Sequence, residues 1–96
     1  MAINPSSDVL RAARALLSWS QRQIAVAARV SRPTINRLES GGNATVETVE
    51  AIVQAYEQQG VEFTGATMEH GVGVRWRTPA GRIGEDPAED DVRKKG

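Results

Sequence analysis

One stretch of the chain, residues 20 to 41, restricts its possible folds more than any other. Its sequence, SQRQIAVAARVSRPTINRLESG, contains two short segments that each begin at a serine able to cap a helix. Ser20 stands three residues before Gln23, the spacing of a reciprocal capping box, and Ser31 repeats the cap. Gly41 follows the second segment, as glycine commonly follows a last helical turn. The stretch therefore predicts two short helices joined by a tight turn.

The two predicted helices carry apolar residues at helical spacing, namely Ile24, Ala25, Ala28, Ile35 and Leu38. Helices joined by so short a turn can bury these faces only by crossing at a steep angle, which leaves the outer face of the second helix free. That face carries Arg32, Asn36 and Arg37, whose side chains offer the bidentate donors that suit a major groove. The pattern favours a helix-turn-helix with residues 32–40 as recognition helix. A plain helical hairpin with a solvated charged face is the alternative.

Helical patterns also flank this pair. A first helix is predicted to start at Ser6 or Ser7, with Arg11 and Arg14 pointing outward. Its buried stripe is formed by Val9, Leu10, Ala13, Leu16 and Leu17. A longer helix is predicted to begin at Thr45 and to stop at Gly60. Its inward stripe is formed by Val46, Val49, Ile52, Val53 and Tyr56. Residues 1–60 should therefore form one helical domain.

The pattern changes after residue 60. Residues 61–64 and 71–76 alternate apolar with polar or small side chains, which predicts two short strands and a β-hairpin. An isolated hairpin is barely stable in water, so its apolar side should pack on the helices or pair with a second chain. We therefore take residues 61–78 as a short β extension and a candidate dimerisation element. Residues 79–96 contain few large aliphatic side chains and are predicted to form a disordered tail.

Charge is distributed unevenly along a chain whose formal net charge is zero. Residues 1–40 contain six arginines against two acidic residues, a net charge of +4. Residues 41–78 contain two arginines against five glutamates, a net charge of −3. Because affinity for phosphate follows the local field more than the total charge, a basic half that coincides with the helix-turn-helix suits a one-sided nucleic-acid interface.

Length and composition narrow the class of protein further. The 96 residues suffice for one small domain but not for a ligand-sensing domain in addition. The chain has no cysteine, which excludes a disulfide framework and a thiolate metal site. Its first residues, MAINPSSD, lack the basic and apolar regions of a leader, and no stretch approaches membrane-spanning length. We therefore expect a soluble cytoplasmic protein without a membrane association.

The stretch LLSWSQRQIAVAARVSRPTINRLESG resembles the Cro/repressor-like (XRE) helix-turn-helix family of phage and bacterial transcriptional regulators. The similar features are the Trp-Ser-Gln opening, the Ile-Ala pair, the Val-Ser-Arg-Pro-Thr-Ile entry to the recognition helix and the closing Leu-Glu-Ser-Gly. The resemblance covers roughly residues 8–60. It implies a mainly α fold, a lambda-repressor-like helical bundle, which here would be followed by the short hairpin or strand. It also implies binding to double-stranded operator DNA as a homodimer.

Matched position by position, the resemblance implies a set of DNA-binding residues. Gln21 falls where such proteins hold a backbone phosphate, and Ser40 and Asn43 fall near a loop that often meets the backbone. Glu39 matches a family glutamate that makes structural contacts, so it is left out of the set. The complete set is Gln21, Arg32, Pro33, Thr34, Asn36, Arg37, Ser40 and Asn43.

Two positions depart from the family pattern. Arg29 stands at the turn position that is usually glycine, where a positive φ is expected and costs a side-chain-bearing residue some strain. Pro33 disfavours helical geometry at Arg32, although a proline near a helix start removes no paired amide. It does remove one donor from the groove-facing positions, so Arg32 and Arg37 are the best candidates for guanine contacts.

The sequence thus predicts a sequence-specific transcriptional repressor that binds an inverted-repeat operator as a homodimer. The alternative from another class is an antitoxin or anti-activator that uses the same fold to hold a toxin or a regulator. An enzyme is not expected, because the single histidine, His70, falls in a predicted loop without a catalytic framework around it. Catalytic residues, metal ligands and cofactors are not predicted.

Overall fold

The computed structural model describes residues 5–87. In this range, four helices precede two strands: α1 (Ser7–Leu17), α2 (Gln21–Ala28), α3 (Arg32–Glu39), α4 (Val46–Gln58), β1 (Val61–Thr64) and β2 (Gly73–Trp76). The architecture is mainly α with a small antiparallel sheet, as the sequence predicts. No helix in the described range is long and apolar enough to cross a membrane.

Each helix begins at a hydroxyl cap. The cap side chain accepts a hydrogen bond from the backbone N–H three residues later, which satisfies one of the amides that a helix start leaves unpaired. At α2 the capping box is complete, since Gln23 N donates to Ser20 Oγ (3.1 Å) and Ser20 N donates to Gln23 Oε1 (2.8 Å). The predicted starts are confirmed, with caps at Ser6, Ser20, Ser31 and Thr45.

Two helices end in residues with left-handed backbone conformation. Arg29 has a φ of 60° at the end of α2, which confirms the positive φ expected there. Ser18 has a φ of 55° at the end of α1, a feature the sequence did not reveal. Neither residue is glycine, so each turn stores strain on the order of 1–2 kcal/mol. Both turns place the next helix start within three residues, which keeps α1, α2 and α3 close together.

The core lies where the four helices meet. Its most deeply buried side chains are Tyr56, Ile24, Ile52 and Val61, and Ala13 lets α1 approach closely. Two orientations differ from the sequence prediction. Val46 is 65% exposed, because it opens the first turn of α4 beyond the edge of the core. Arg14 is partly buried rather than pointing outward, because its guanidinium pairs with Glu39.

The two strands pair antiparallel, with Val61 opposite Trp76 and Phe63 opposite Val74. This confirms the predicted hairpin. Its inner face packs on the helices through an aromatic row, in which the Trp19 and Tyr56 ring centroids are 6.2 Å apart and the Tyr56 and Phe63 centroids are also 6.2 Å apart. The hairpin is thus an extension of the helical core rather than a separate unit.

Residues 79–87 contain no helix or strand, yet they return to the helices through defined hydrogen bonds. Ile83 N donates to Gln59 O (3.0 Å), and Trp19 Nε1 donates to Asp86 Oδ1 (2.7 Å). Gly60, with a φ of 99°, allows this return, because a Cβ there would lie 3.1 Å from Gly81 O. The first half of the predicted disordered tail therefore has specific contacts. The remainder, residues 88–96, lies outside the described residues.

Candidate nucleic-acid interface

Helix α3 has a buried side and an exposed side. Ile35, Leu38 and Glu39 are buried against the bundle. Arg32, Pro33, Asn36 and Arg37 are exposed, and Thr34 is half-buried. This division follows from the helical period, because residues three and four apart share a face. The predicted groove-facing positions therefore lie together on the outer side of one helix.

The start of α2 lies beside this face. The Gln21 side chain amide donates to Asn36 Oδ1 (3.4 Å) and to Glu39 Oε1 (3.2 Å). Gln21 thus connects the first turn of α2 with both the outer and the inner side of α3. Its backbone N–H is at the first position of α2, where a helix leaves amides free for an external acceptor.

Beneath the exposed face lies a buried ion pair. Arg14 Nε donates to Glu39 Oε2 (2.8 Å) and Arg14 Nη2 donates to Glu39 Oε1 (2.8 Å), a bidentate arrangement. The hydrogen bond to Glu39 raises the pKa of Arg14 above its ordinary value. Arg14 Nη1 also donates to Trp19 O (3.0 Å), and Arg11 donates to the backbone carbonyl of Glu39. Together these contacts fix α1, the α1–α2 turn and the end of α3 relative to one another.

The α3–α4 loop holds the second exposed arginine. Arg37 Nε donates to Asn43 O (2.9 Å), so its side chain lies along the loop. Gly42 makes this possible, because a Cβ there would lie 2.5 Å from Arg37 Cγ. Ser40 and Asn43 are also exposed. The guanidinium of Arg37 is therefore oriented before any ligand arrives.

The start of α3 keeps its cap despite the proline. Ser31 remains the N-cap, and Pro33 is accommodated in the first turn. Ser31 Oγ and Thr34 Oγ1 share a hydrogen bond of 2.8 Å, which ties the Thr34 side chain to the cap. The Arg32 side chain makes no hydrogen bond or ion pair to any residue between 5 and 87. Its guanidinium is the group on this face with the most freedom to bind an acceptor.

The structure brings all eight predicted positions to the start of α2, the outer side of α3 and the loop after it. Sequence reasoning recognised Glu39 as structural but missed its partner, Arg14. A signal existed, because a carboxylate buried beneath the recognition helix requires a nearby cation. Within residues 5–87, no cluster of three histidine or carboxylate side chains is arranged to hold a metal ion.

Two short helices joined by a tight turn, the second with a buried side and an exposed, arginine-bearing side, are the arrangement of DNA-binding proteins of the helix-turn-helix class. The comparison with known families agrees. A family model described as Helix-turn-helix matches residues 10–63, more than half of the chain, and the chain belongs to this XRE-type family of DNA-binding regulators. The family is one of regulators and not of enzymes. No curated protein matches the chain.

Proposed function

We propose that this protein is a sequence-specific transcriptional repressor that binds an inverted-repeat operator as a homodimer. In this proposal α3 lies in the major groove and a bound dimer covers the site from other proteins. The observation that carries the proposal is the division of α3, whose Ile35, Leu38 and Glu39 are buried while Arg32, Asn36 and Arg37 are exposed. A helix whose inner side is packed on the bundle and whose outer side is exposed can enter the major groove and contact base edges.

Each residue of the interface has a proposed role. Arg32 and Arg37 would donate two hydrogen bonds each to guanine edges, and Asn36 would pair with adenine. Pro33 would contact bases or sugars only through its apolar ring, since it has no backbone N–H. Thr34, Ser40 and Asn43 would contact the backbone. These polar contacts set orientation, while the base contacts set sequence.

Gln21 has a more indirect role in this proposal. Its side chain amide already donates to Asn36 and Glu39, so the phosphate would meet the backbone amide at the start of α2. Through its shorter bond to the buried Glu39, the Gln21 side chain would hold that amide in place against α3, and a phosphate contact does not depend on the base sequence. Loss of this side chain should therefore weaken binding to all sequences similarly.

The dimer would be two-fold symmetric, with the β extension at residues 61–78 as its proposed interface. Two recognition helices would then lie about 34 Å apart, one turn of DNA, which requires an operator with two inverted half-sites.

Selection of bound duplexes from a random pool by the purified full chain tests the proposal. We expect enrichment of an inverted repeat, with Arg32→Ala and Arg37→Ala each losing roughly 1–3 kcal/mol of specific binding and relaxing one base position. Gln21→Ala is the matched comparison, expected to lower affinity without changing preference. An unchanged sequence preference in both arginine variants would refute the assigned readout.

A further inference from the structure

The loop between the two strands has a tightly closed tip at residues 67–70. Thr67 N donates to His70 O (2.7 Å). Thr67 Oγ1 accepts from both Glu69 N (3.1 Å) and His70 N (2.9 Å). Three hydrogen bonds among four consecutive residues fix the backbone of this tip. The side chain that the tip presents at its apex is Met68, which is fully exposed.

A fully exposed methionine on a fixed turn can gain free energy by binding to an apolar surface. Apolar side chains gain free energy when they leave water, and a turn that is already ordered adds little entropy cost when it binds. Methionine is also unbranched and adapts to irregular apolar surfaces. Met68 therefore has the properties of an anchor residue that binds an apolar surface.

A receiving surface lies where the loop joins the two strands. It is an apolar groove of about 300 Å³, formed on one side by the start of α1 and on the other by the strand ends. The groove is lined principally by Pro5, Val9, Phe63, Gly65 and Val72. Val72 is itself 59% exposed, so the groove is open to an incoming side chain. Met68 does not fill it within one chain, since its side chain is fully exposed and does not line the groove.

We propose that Met68 of one copy of this chain inserts into the groove of a second copy, and that the exchange is reciprocal. This inference rests on the proposed homodimer and specifies its surface. Met68 stands three positions after Gly65 at the groove, a reach of about 10 Å. Two hairpins placed antiparallel, with their loops side by side, therefore bring each tip to the loop end of the other's strands, which is the self-complementary arrangement that a two-fold axis requires.

The charges around tip and groove are complementary as well. Glu69 follows Met68 at the tip, and the groove rim includes Ser6, the N-cap of α1. The Asp8 carboxylate in the first turn of α1 is paired with Arg11, so the partial positive charge of the helix start remains to attract the partner's Glu69 carboxylate. None of the eight proposed DNA-binding residues lines the groove. DNA and a second copy can therefore be bound at the same time.

Light scattering of the full chain without DNA, over a concentration series, tests the proposal. We expect a dimer whose dissociation constant rises at least about tenfold in Met68→Asp and in Gly65→Phe. The first removes the anchor and the second places a ring at the groove; a Cβ at Gly65 has no atom within 4 Å, so the backbone accepts a side chain there. Val46→Asp is the matched control, since it changes another exposed apolar side chain, on α4, and should leave the dimer intact.

Mixed cross-linking gives an independent check of the contact. The native chain has no cysteine, so Met68→Cys and Gly65→Cys chains can be mixed and oxidised. We expect the mixed disulfide to form faster than either disulfide between identical variants. A wild-type chain that stays monomeric, or a dimer unaffected by both blocking variants, would overturn the inference. Because these measurements contain no DNA, loss of the dimer and loss of operator binding are read separately.

Discussion

The helical half of the molecule and the hairpin that follows it are stabilised by different means. In the helical half, Ile24 and Glu39 are almost completely buried, and the carboxylate of Glu39 is held by a bidentate arginine. In the hairpin, Phe63 and Val74 are only half-buried, and the cross-strand pair between Arg75 and Glu62 is exposed. Burial makes each interaction in the first region costly to break, whereas solvent screens those in the second.

This difference matches the two proposed functions, which are base readout by the helical half and dimerisation by the hairpin. Base readout requires a helix held in one orientation, and the packing behind α3 provides it. A surface that binds a second copy requires exposed apolar groups, and the hairpin keeps Met68 and Val72 in solvent. Two substitutions of arginine test whether the two regions really differ in this way.

The largest effect is expected for Arg14→Ala. The substitution leaves the Glu39 side chain, only 3% exposed, without its cation. Removing one partner of a buried pair costs on the order of 3 kcal/mol of stability. Urea denaturation measures the change in the free energy of unfolding.

Arg75→Ala is the matched control in the hairpin. Its guanidinium donates to Glu62 Oε1 (2.8 Å), but the Arg75 side chain is 68% exposed. Exposed pairs contribute less than about 1 kcal/mol, so the loss should be small. Equal losses for the two variants would contradict the contrast between the regions.

An intermediate effect of opposite sign is expected for Ser18→Gly. Ser18 has a φ of 55° at the end of α1, a conformation that glycine adopts without strain. We expect a gain of about 1 kcal/mol, which for a chain of this size raises Tm by roughly 4–8 °C. Thermal unfolding checks this gain. Ala15→Gly, on the exposed side of the same helix, is the control and should lower Tm.

The smallest effect concerns the segment that returns to the helices. Hydrogen bonds from Trp19 and from Arg82 lower the pKa of Asp86 below its ordinary value of 3.8. A carboxyl whose pKa is lowered by folding stabilises the folded state above its unfolded pKa, and this contribution is lost as the pH falls through the folded value. The indole N–H signal of Trp19 in NMR spectra should therefore shift at a pH below 3.8.

Asp86→Asn removes the titrating group and should abolish that shift, while the indole signal of Trp76 serves as the internal reference. A Trp19 signal that titrates unchanged in the variant would show that another group is responsible.

Most of the helical half could be predicted because its signals are local. The caps at Ser20 and Ser31 and the positive φ at Arg29 depend on residues within one turn, which are adjacent in the sequence. The Arg14–Glu39 pair joins residues 25 apart, and helical periodicity could not choose between an outward and an inward arginine. Val46 was misplaced for a related reason, since periodicity does not show where the core ends.

The segment at residues 79–87 was the least predictable part. Its composition is that of a disordered tail, and its contacts depend on partners far away in sequence, such as Trp19 and Gln59. The groove that is proposed to receive Met68 was equally hidden, because it forms only where the start of α1 meets the strand ends. Features that depend on neighbouring residues could therefore be predicted from the sequence. Surfaces assembled from distant segments could be recognised only in the structure.

The central claim is that the outer side of α3 is the surface that meets DNA. Titration of the isotope-labelled full chain with a selected duplex, followed by backbone amide NMR, tests it residue by residue. We predict the largest shifts at Gln21, Arg32, Asn36 and Arg37, with little change at Met68 and Val72 once the dimer is formed. Shifts concentrated in the hairpin, with α3 unchanged, would contradict the claim.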